Sequence, residues 1–248
     1  MSDRDPDTSA NKGQMPETQT LDWNDGDMPY SREFGDHFYC RTDGRLECGH
    51  VFLSGNGLPD RWAQPKSPNG DFLIGELGFG TGLNFCETWR QWKLYRKPDS
   101  RLHFMSFELY PMSGQDIDRA LSHWPEIKAE REALVAAWPA EPFGIIEIAV
   151  DEQTRLSVVC GPALEGVSAA PSGFDAWYLD GFAPSRNPDM WSPELMRTIH
   201  HKTAAGGTFG TYAAAGFVRR NLQAAGFIVE RRPGFAGKRE MLCGRKPG

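Results

Sequence analysis

One stretch constrains the fold more than any other. Asp71-Phe72-Leu73-Ile74-Gly75-Glu76-Leu77 is a short apolar run. It passes directly into Gly78-Phe79-Gly80-Thr81-Gly82, and Leu83 to Tyr95 then carries apolar residues at helical spacing. A short apolar run bounded by a turn reads as a buried strand, and the following periodicity reads as a helix. Strand, glycine turn and helix in this order build a ligand loop at the C-terminal edge of an open α/β sheet. Glycines allow positive φ and close approach of backbone to a ligand. The helix start beyond them supplies free N–H groups and a positive dipole end. Gly78, Gly80 and Gly82 alternate, which departs from the G-x-G-x-x-G spacing of a dinucleotide loop. No Lys/Tyr or His dyad is recognisable either, and both points argue against a nicotinamide dehydrogenase.

The rest of the chain supports the same class. Strands are predicted at 101–109, 145–150, 156–160, 174–180 and 207–212, with helices at 111–124, 127–138, 193–202 and 215–225. Segments 227–231 and 239–243 are expected to close the sheet as an antiparallel pair. Strands alternating with helices imply a mostly parallel sheet covered on both faces. Residues 71–248 are therefore read as one Rossmann-like domain. Before it, Ser31 to Arg61 alternates apolar and polar residues around turn signals such as Gly55-Asn56-Gly57, Pro65 to Gly70 reads as a loop, and residues 28–70 are expected to be a β-rich extension. Residues 1–27 are polar and lack the order of a signal peptide, so they are expected to be a disordered leader.

Two strand ends carry acids where a ligand would meet them. Phe104-Met105-Ser106-Phe107-Glu108 ends in a carboxylate that can accept both hydroxyls of a ribose. Asp175-Ala176-Trp177-Tyr178-Leu179-Asp180 ends in a second acid. The Gly181-Phe182-Ala183-Pro184 that follows offers an apolar wall on which a flat ring can stack. A carboxylate beside such a wall suits proton transfer from an amine on a nucleobase.

These motifs resemble a known family. An acid before three alternating glycines resembles the first motif of class I methyltransferases, whose loop wraps S-adenosylmethionine. Leu179 to Trp191, with the sequence LDGFAPSRNPDMW, closely resembles the signature of the MnmC/MnmD tRNA methyltransferases, and so does Gly78 to Phe85. Val51-Phe52-Leu53, Gly55-Asn56, Gly216 to Arg220 and Lys238 to Gly244 are also similar to that family. The resemblance implies a class I, Rossmann-like fold with a mostly parallel sheet and an N-terminal β extension. It implies methylation of 5-aminomethyl-2-thiouridine to 5-methylaminomethyl-2-thiouridine at the tRNA wobble position. S-adenosylmethionine would be held by Glu76, Gly78, Phe79, Gly80, Thr81, Gly82, Asn84 and Glu108, and Asp180 would be catalytic. Bifunctional members carry an FAD-dependent oxidase domain that first removes a carboxymethyl group. This chain stops at Gly248, so methylation alone is expected here, without FAD, with a separate oxidase as an upstream partner. Where the family usually has Gly-Asp after the fourth strand, this chain has Gly161-Pro162. A carboxylate contact to adenine is therefore not expected.

Charge suggests the partner. The chain has net charge −6, yet residues 219–248 hold eight Lys and Arg against Glu230 and Glu240. An anion-binding tail follows, with Arg219, Arg220, Lys238 and Arg239 expected on anticodon phosphates and Phe182 and Pro184 against the base. A small-molecule N-methyltransferase would not need that tail, and a non-catalytic RNA-binding module would not need the glycine loop. The five cysteines form no C-x-x-C pair and are expected as free thiols in a cytoplasmic protein, with no metal site. No apolar run reaches the roughly 18–20 residues of a membrane span.

Overall fold

The computed structural model describes residues 21–24, 27–64 and 71–248. Among them, eight strands form one sheet. In chain order its first members are β4 (Phe72–Leu77), β5 (Leu102–Glu108), β6 (Ile145–Asp151) and β7 (Thr154–Cys160), followed by β8 (Phe174–Leu179), β9 (Thr203–Thr211), β10 (Ile228–Pro233) and β11 (Glu240–Arg245). The spatial order is β10-β11-β9-β8-β4-β5-β7-β6. The five central strands pair in parallel, while β6 and the β10–β11 pair are antiparallel additions at the two edges. From β4 the chain runs outward through β5 to β7, then returns to the other side of β4 as β8. The order reverses between β4 and β8, and their C-terminal ends diverge there into a crevice that receives ligands in open α/β sheets.

Helices cover both faces. The chain forms α3 (Leu83–Tyr95), α4 (Gly114–Leu121), α5 (Lys128–Ala137), α6 (Ala163–Ala169), α7 (Pro193–Lys202) and α8 (Gly216–Ala225). Their boundaries follow capping chemistry. Ser113 caps α4 by accepting from the Asp116 N–H at 3.1 Å, and Ser192 caps α7 with Pro193 at its first position. Helix α6 was not foreseen, because Ala163-Leu164-Glu165-Gly166 shows too little periodicity over seven residues. One apolar cluster includes Ile74, Phe85, Trp92, Phe104 and Tyr178, and a second, on the opposite face, includes Phe107, Trp177, Trp191, Phe209 and Leu222. Fully buried rings such as Phe104 and Phe209 each contribute about 1.5–3 kcal/mol. Gly75 makes the two faces compatible. A Cβ there would lie 2.4 Å from the Trp177 ring, so only glycine lets that indole cross β4.

The N-terminal segment corrects two expectations. Strand β1 (Leu21–Asn24) lies inside the expected leader and pairs with β2 (Met28–Ser31), which pairs with β3 (Asp36–His37). The rest of the leader, residues 1–20 and 25–26, lies outside the described residues. Beyond residue 43 the expected β extension is helical: α1 (Gly44–Cys48), a π-helix (Gly49–Ser54) and α2 (Leu58–Ala63). Packing overrides the strand-like pattern. Cys48, Val51, Phe52, Leu58 and Trp62 are buried in the same cluster as β4 and α3. Asn56 anchors the segment, donating to Phe52 O at 2.9 Å and Trp177 O at 3.2 Å and accepting from Thr208 Oγ1 at 2.6 Å. Residues 44–63 are thus part of the same core as β4 and α3, and their π-helix runs beside the crevice.

Candidate active site

A cavity of about 400 Å³ opens at the C-terminal ends of β4, β5 and β8, within the range of small-molecule sites. Of the residues singled out in the sequence, Gly78, Phe79, Gly80, Thr81, Asn84, Glu108, Asp180 and Phe182 come together in its lining. Gly78, Gly80 and Gly82 have φ of 79°, 53° and 77°. A side chain at Gly80 would be strained by that φ and would meet the Phe38 ring at 3.2 Å. Phe79 turns inward and stacks on Trp138, ring centroids 5.2 Å apart, so α5 props the loop from behind.

Glu108 closes the loop from the next strand. Its carboxylate accepts from the Gly80 N–H and the Tyr110 N–H, both at 2.8 Å. Burial raises its pKa, and these backbone donors oppose the rise. It lines the cavity and fits a ribose-binding role.

Glu76 departs from its expected place. It is completely buried and does not line the cavity. Ser106 Oγ donates to it at 2.7 Å and Asn84 Nδ2 at 3.0 Å, and burial holds its carboxyl well above the usual range. The same Asn84 amide donates to Asp180 Oδ2 at 2.8 Å. Glu76 is therefore joined to Asp180 through the Asn84 amide and lies behind the cavity wall. Gly82 is also absent from the wall, since it starts α3 against Phe79 and Leu134.

Asp180 stands at the end of β8. Its Oδ1 accepts from the Gly181 N–H at 2.8 Å. Burial pushes its carboxyl up to about 7, against the lowering effect of these hydrogen bonds. A carboxylate poised near neutrality can hold or release a proton at working pH.

The opposite wall comes largely from the N-terminal segment: Asp36, Phe38, Tyr39, Glu47, Cys48 and Phe52. Sequence reasoning missed these as site residues, although the segment's resemblance to the same family was visible at Val51-Phe52-Leu53. Asp36 accepts from the Ala183 N–H at 3.1 Å, tying β3 to the Phe182 loop. Phe182 was expected to offer a free stacking face. Instead Phe34 stacks on it at 4.6 Å and Phe38 packs edge-on at 5.1 Å, so the platform is a three-ring cluster. Pro184 lies outside the cavity wall.

The basic residues divide. Arg219, Arg220 and Arg239 do not line the cavity. Arg220 and Arg239 are exposed, and among the described residues neither pairs with a carboxylate. Arg219 is half-buried near the start of α8. Lys238, expected on phosphate, is set apart from these three. Its Nζ points into the cavity, 2.6 Å from Glu47 Oε1 and 4.4 Å from the Tyr212 ring centroid. Gly161 and Pro162 are also outside the wall, and the Gly161 N–H is tied to Glu108 O at 2.9 Å. No cluster of His, Cys, Asp or Glu able to hold a metal occurs among the described residues, and no helix there is long and apolar enough to cross a membrane.

Residues 125–247 match a family model described as S-adenosyl-L-methionine-dependent methyltransferase. The chain is 41% identical over 227 residues to the tRNA 5-methylaminomethyl-2-thiouridine biosynthesis bifunctional protein MnmC of Chromohalobacter salexigens, a match covering 90% of this chain and 32% of that protein. It is 43% identical over 230 residues to the protein of the same name from Pseudomonas aeruginosa, covering 92% of this chain and 35% of that protein. The chain thus spans about a third of the length of the curated relatives it matches. Among solved structures, MNMC2 from Aquifex aeolicus superposes with a TM-score of 0.74 at 19% identity, covering 94% of this chain and 73% of that one, which shows a shared fold.

Proposed function

We propose that the chain is an S-adenosyl-L-methionine-dependent methyltransferase, as the family model matching residues 125–247 is described, and that it methylates the 5-aminomethyl group of a wobble 2-thiouridine in tRNA. The observation that carries the reading is Asp180. This carboxyl, raised to about 7, lines one cavity with the glycine loop and Glu108. The relatives named for 5-methylaminomethyl-2-thiouridine biosynthesis support the choice of acceptor.

When bound, S-adenosylmethionine supplies an electrophilic methyl group on a sulfonium, so the chemistry asks for no metal. Gly78, Gly80 and Thr81 would take its methionine portion, and Glu108 its ribose. The chain's own work is then to orient an amine and free its lone pair. An aminomethyl group arrives protonated, and Asp180, ionised above about pH 7, accepts one of its protons. Asn84 and the Gly181 N–H fix the carboxylate for that transfer. Most of the rate advantage comes from positioning. The Phe34, Phe38 and Phe182 rings exclude water from the mouth and give a flipped base an apolar edge. Arg219, Arg220 and Arg239, outside the cavity, are assigned to tRNA phosphates. In the same reading the enzyme is cytoplasmic, and an FAD-dependent oxidase acts before it to expose the amine.

The test is mass spectrometry of nucleosides from tRNA incubated with the protein and labelled cofactor. Label in 5-methylaminomethyl-2-thiouridine is expected. A folded protein that binds the cofactor but leaves this nucleoside unlabelled contradicts the assignment.

A further inference from the structure

We propose that Glu47 and the ring face of Tyr212 form the subsite for the substrate's primary ammonium, and that Lys238 fills this subsite from within the chain until substrate displaces it. The proposal rests on the methyl-transfer reading above and adds to it the groups that recognise the acceptor.

The geometry is that of a cation site already holding a cation. Glu47 belongs to α1 and is nearly buried, its side chain 10% exposed. One carboxylate oxygen accepts from the Cys40 N–H at 3.2 Å, and the other holds Lys238 Nζ at 2.6 Å. The ammonium lies 4.4 Å from the Tyr212 ring centroid. An ammonium over an aromatic face with a carboxylate beside it combines the two attractions that select such groups. The Tyr212 hydroxyl donates to Gly181 O, which fixes this ring next to the residue that follows Asp180. Glu47, Tyr212, Lys238 and Asp180 all line the same cavity.

The two partners of the ion pair differ in how far they are enclosed. Glu47 sits on a helix beside fully buried Cys48. Lys238 extends from the turn between β10 and β11, its side chain is 40% exposed, and the turn is shaped by Ala236 and Gly237 at positive φ. Lysine has a long, flexible stem and a strongly hydrated head, so it leaves for solvent at modest cost. The acid cannot follow, and an enclosed carboxylate without a cation is destabilised. An aminomethyl group on a flat ring delivers the replacement. Glu47 would hold the protonated amine while one N–H proton passes from nitrogen to an Asp180 oxygen, leaving the lone pair on nitrogen. A side chain ending in a carboxylate would instead confront Glu47 with like charge, so the subsite favours aminomethyl over carboxymethylaminomethyl.

The test uses two tRNAs that differ only at the wobble base, 5-aminomethyl-2-thiouridine or plain 2-thiouridine. Their affinities are measured for wild type, Glu47→Gln and Lys238→Met, with S-adenosylmethionine binding as the check on folding. Wild type is expected to prefer the aminomethyl tRNA by about tenfold or more, and Glu47→Gln to lose that preference while binding cofactor and plain tRNA as before. Lys238→Met is expected to tighten the aminomethyl tRNA several-fold, because the internal competitor is gone. A Glu47→Gln protein that keeps the full preference overturns the subsite. A Lys238→Met protein that weakens both tRNAs equally, with a smaller salt dependence, makes Lys238 a phosphate contact and overturns the self-occupancy. If wild type binds cofactor yet methylates neither tRNA, the methyl-transfer reading fails, and the subsite falls with it.

Discussion

The two walls of the cavity are built in different ways. The sheet-edge wall consists of strand ends and the loop between β4 and α3, with Gly78, Gly80 and Glu108 at fixed places in a parallel array and Asp180 at the seam, where Tyr212 of the facing wall reaches Gly181 O. The facing wall is assembled from residues distant in sequence: Asp36, Phe38 and Glu47 from the N-terminal segment, Tyr212 after β9, and Lys238 from the β10–β11 turn. In the proposed reading the first wall, at the sheet edge where open α/β folds take ligands, holds the cofactor. The second carries the groups to which that reading assigns the acceptor. Substitutions should therefore separate along this line, with cofactor effects on one side and acceptor effects on the other.

The largest effect is expected at the seam. Asp180→Asn keeps the shape but removes the proton acceptor, and single-turnover methyl transfer should fall by about a hundredfold or more. Cofactor affinity, measured by calorimetry, should change little, because the proposed reading assigns Asp180 to the acceptor. Equal loss of both would erase the distinction between the walls.

Next comes Gly80→Val, placed squarely on the cofactor side. A branched residue at φ 53° is strained, and its Cβ would press on Phe38 at 3.2 Å. Cofactor affinity should drop by about tenfold or more. A folded variant with unchanged affinity would detach the glycine loop from cofactor binding.

The sharp difference in what could be read in advance follows the same division. Regular periodicity revealed β4, α3, β5 and β8, because each buries its apolar residues against neighbours that repeat along the element. The acids at strand ends were readable for the same reason, since position in the sheet fixes where Glu108 and Asp180 emerge. Residues 44–63 were not readable. Val51, Phe52 and Leu53 look strand-like, but their burial depends on contact with β4 and α3, far along the chain. Glu76 shows the limit even within the readable wall. Its place on β4 was evident, but its burial beneath Asn84 depends on the Ser106 hydroxyl of the next strand. Lys238 looked like one more member of a basic tail until the fold set it beside Glu47.

The smallest effect should come from outside the cavity. Replacing Arg220 and Arg239 together by Gln should weaken tRNA binding several-fold at moderate salt and flatten the dependence of affinity on salt, with cofactor affinity unchanged. An unchanged salt slope would return these arginines to the role of a solvated surface.

The pH dependence of methyl transfer tests the account at its centre. Asp180 has its carboxyl raised to about 7 by burial. The protonated form is therefore favoured in the folded state. Its contribution to stability is full below the ordinary carboxylate range and is lost as pH rises through about 7, while the ionised form needed for proton acceptance appears over that same rise. The measurement is the single-turnover rate with aminomethyl tRNA and saturating cofactor from pH 5.5 to 9, for wild type and Asp180→Asn. The wild-type rate is predicted to climb and level off above about pH 7, with the Asn protein slow and without that rise. An Asn protein that keeps a near-normal rate and the same climb would remove Asp180 from the reaction and contradict the account.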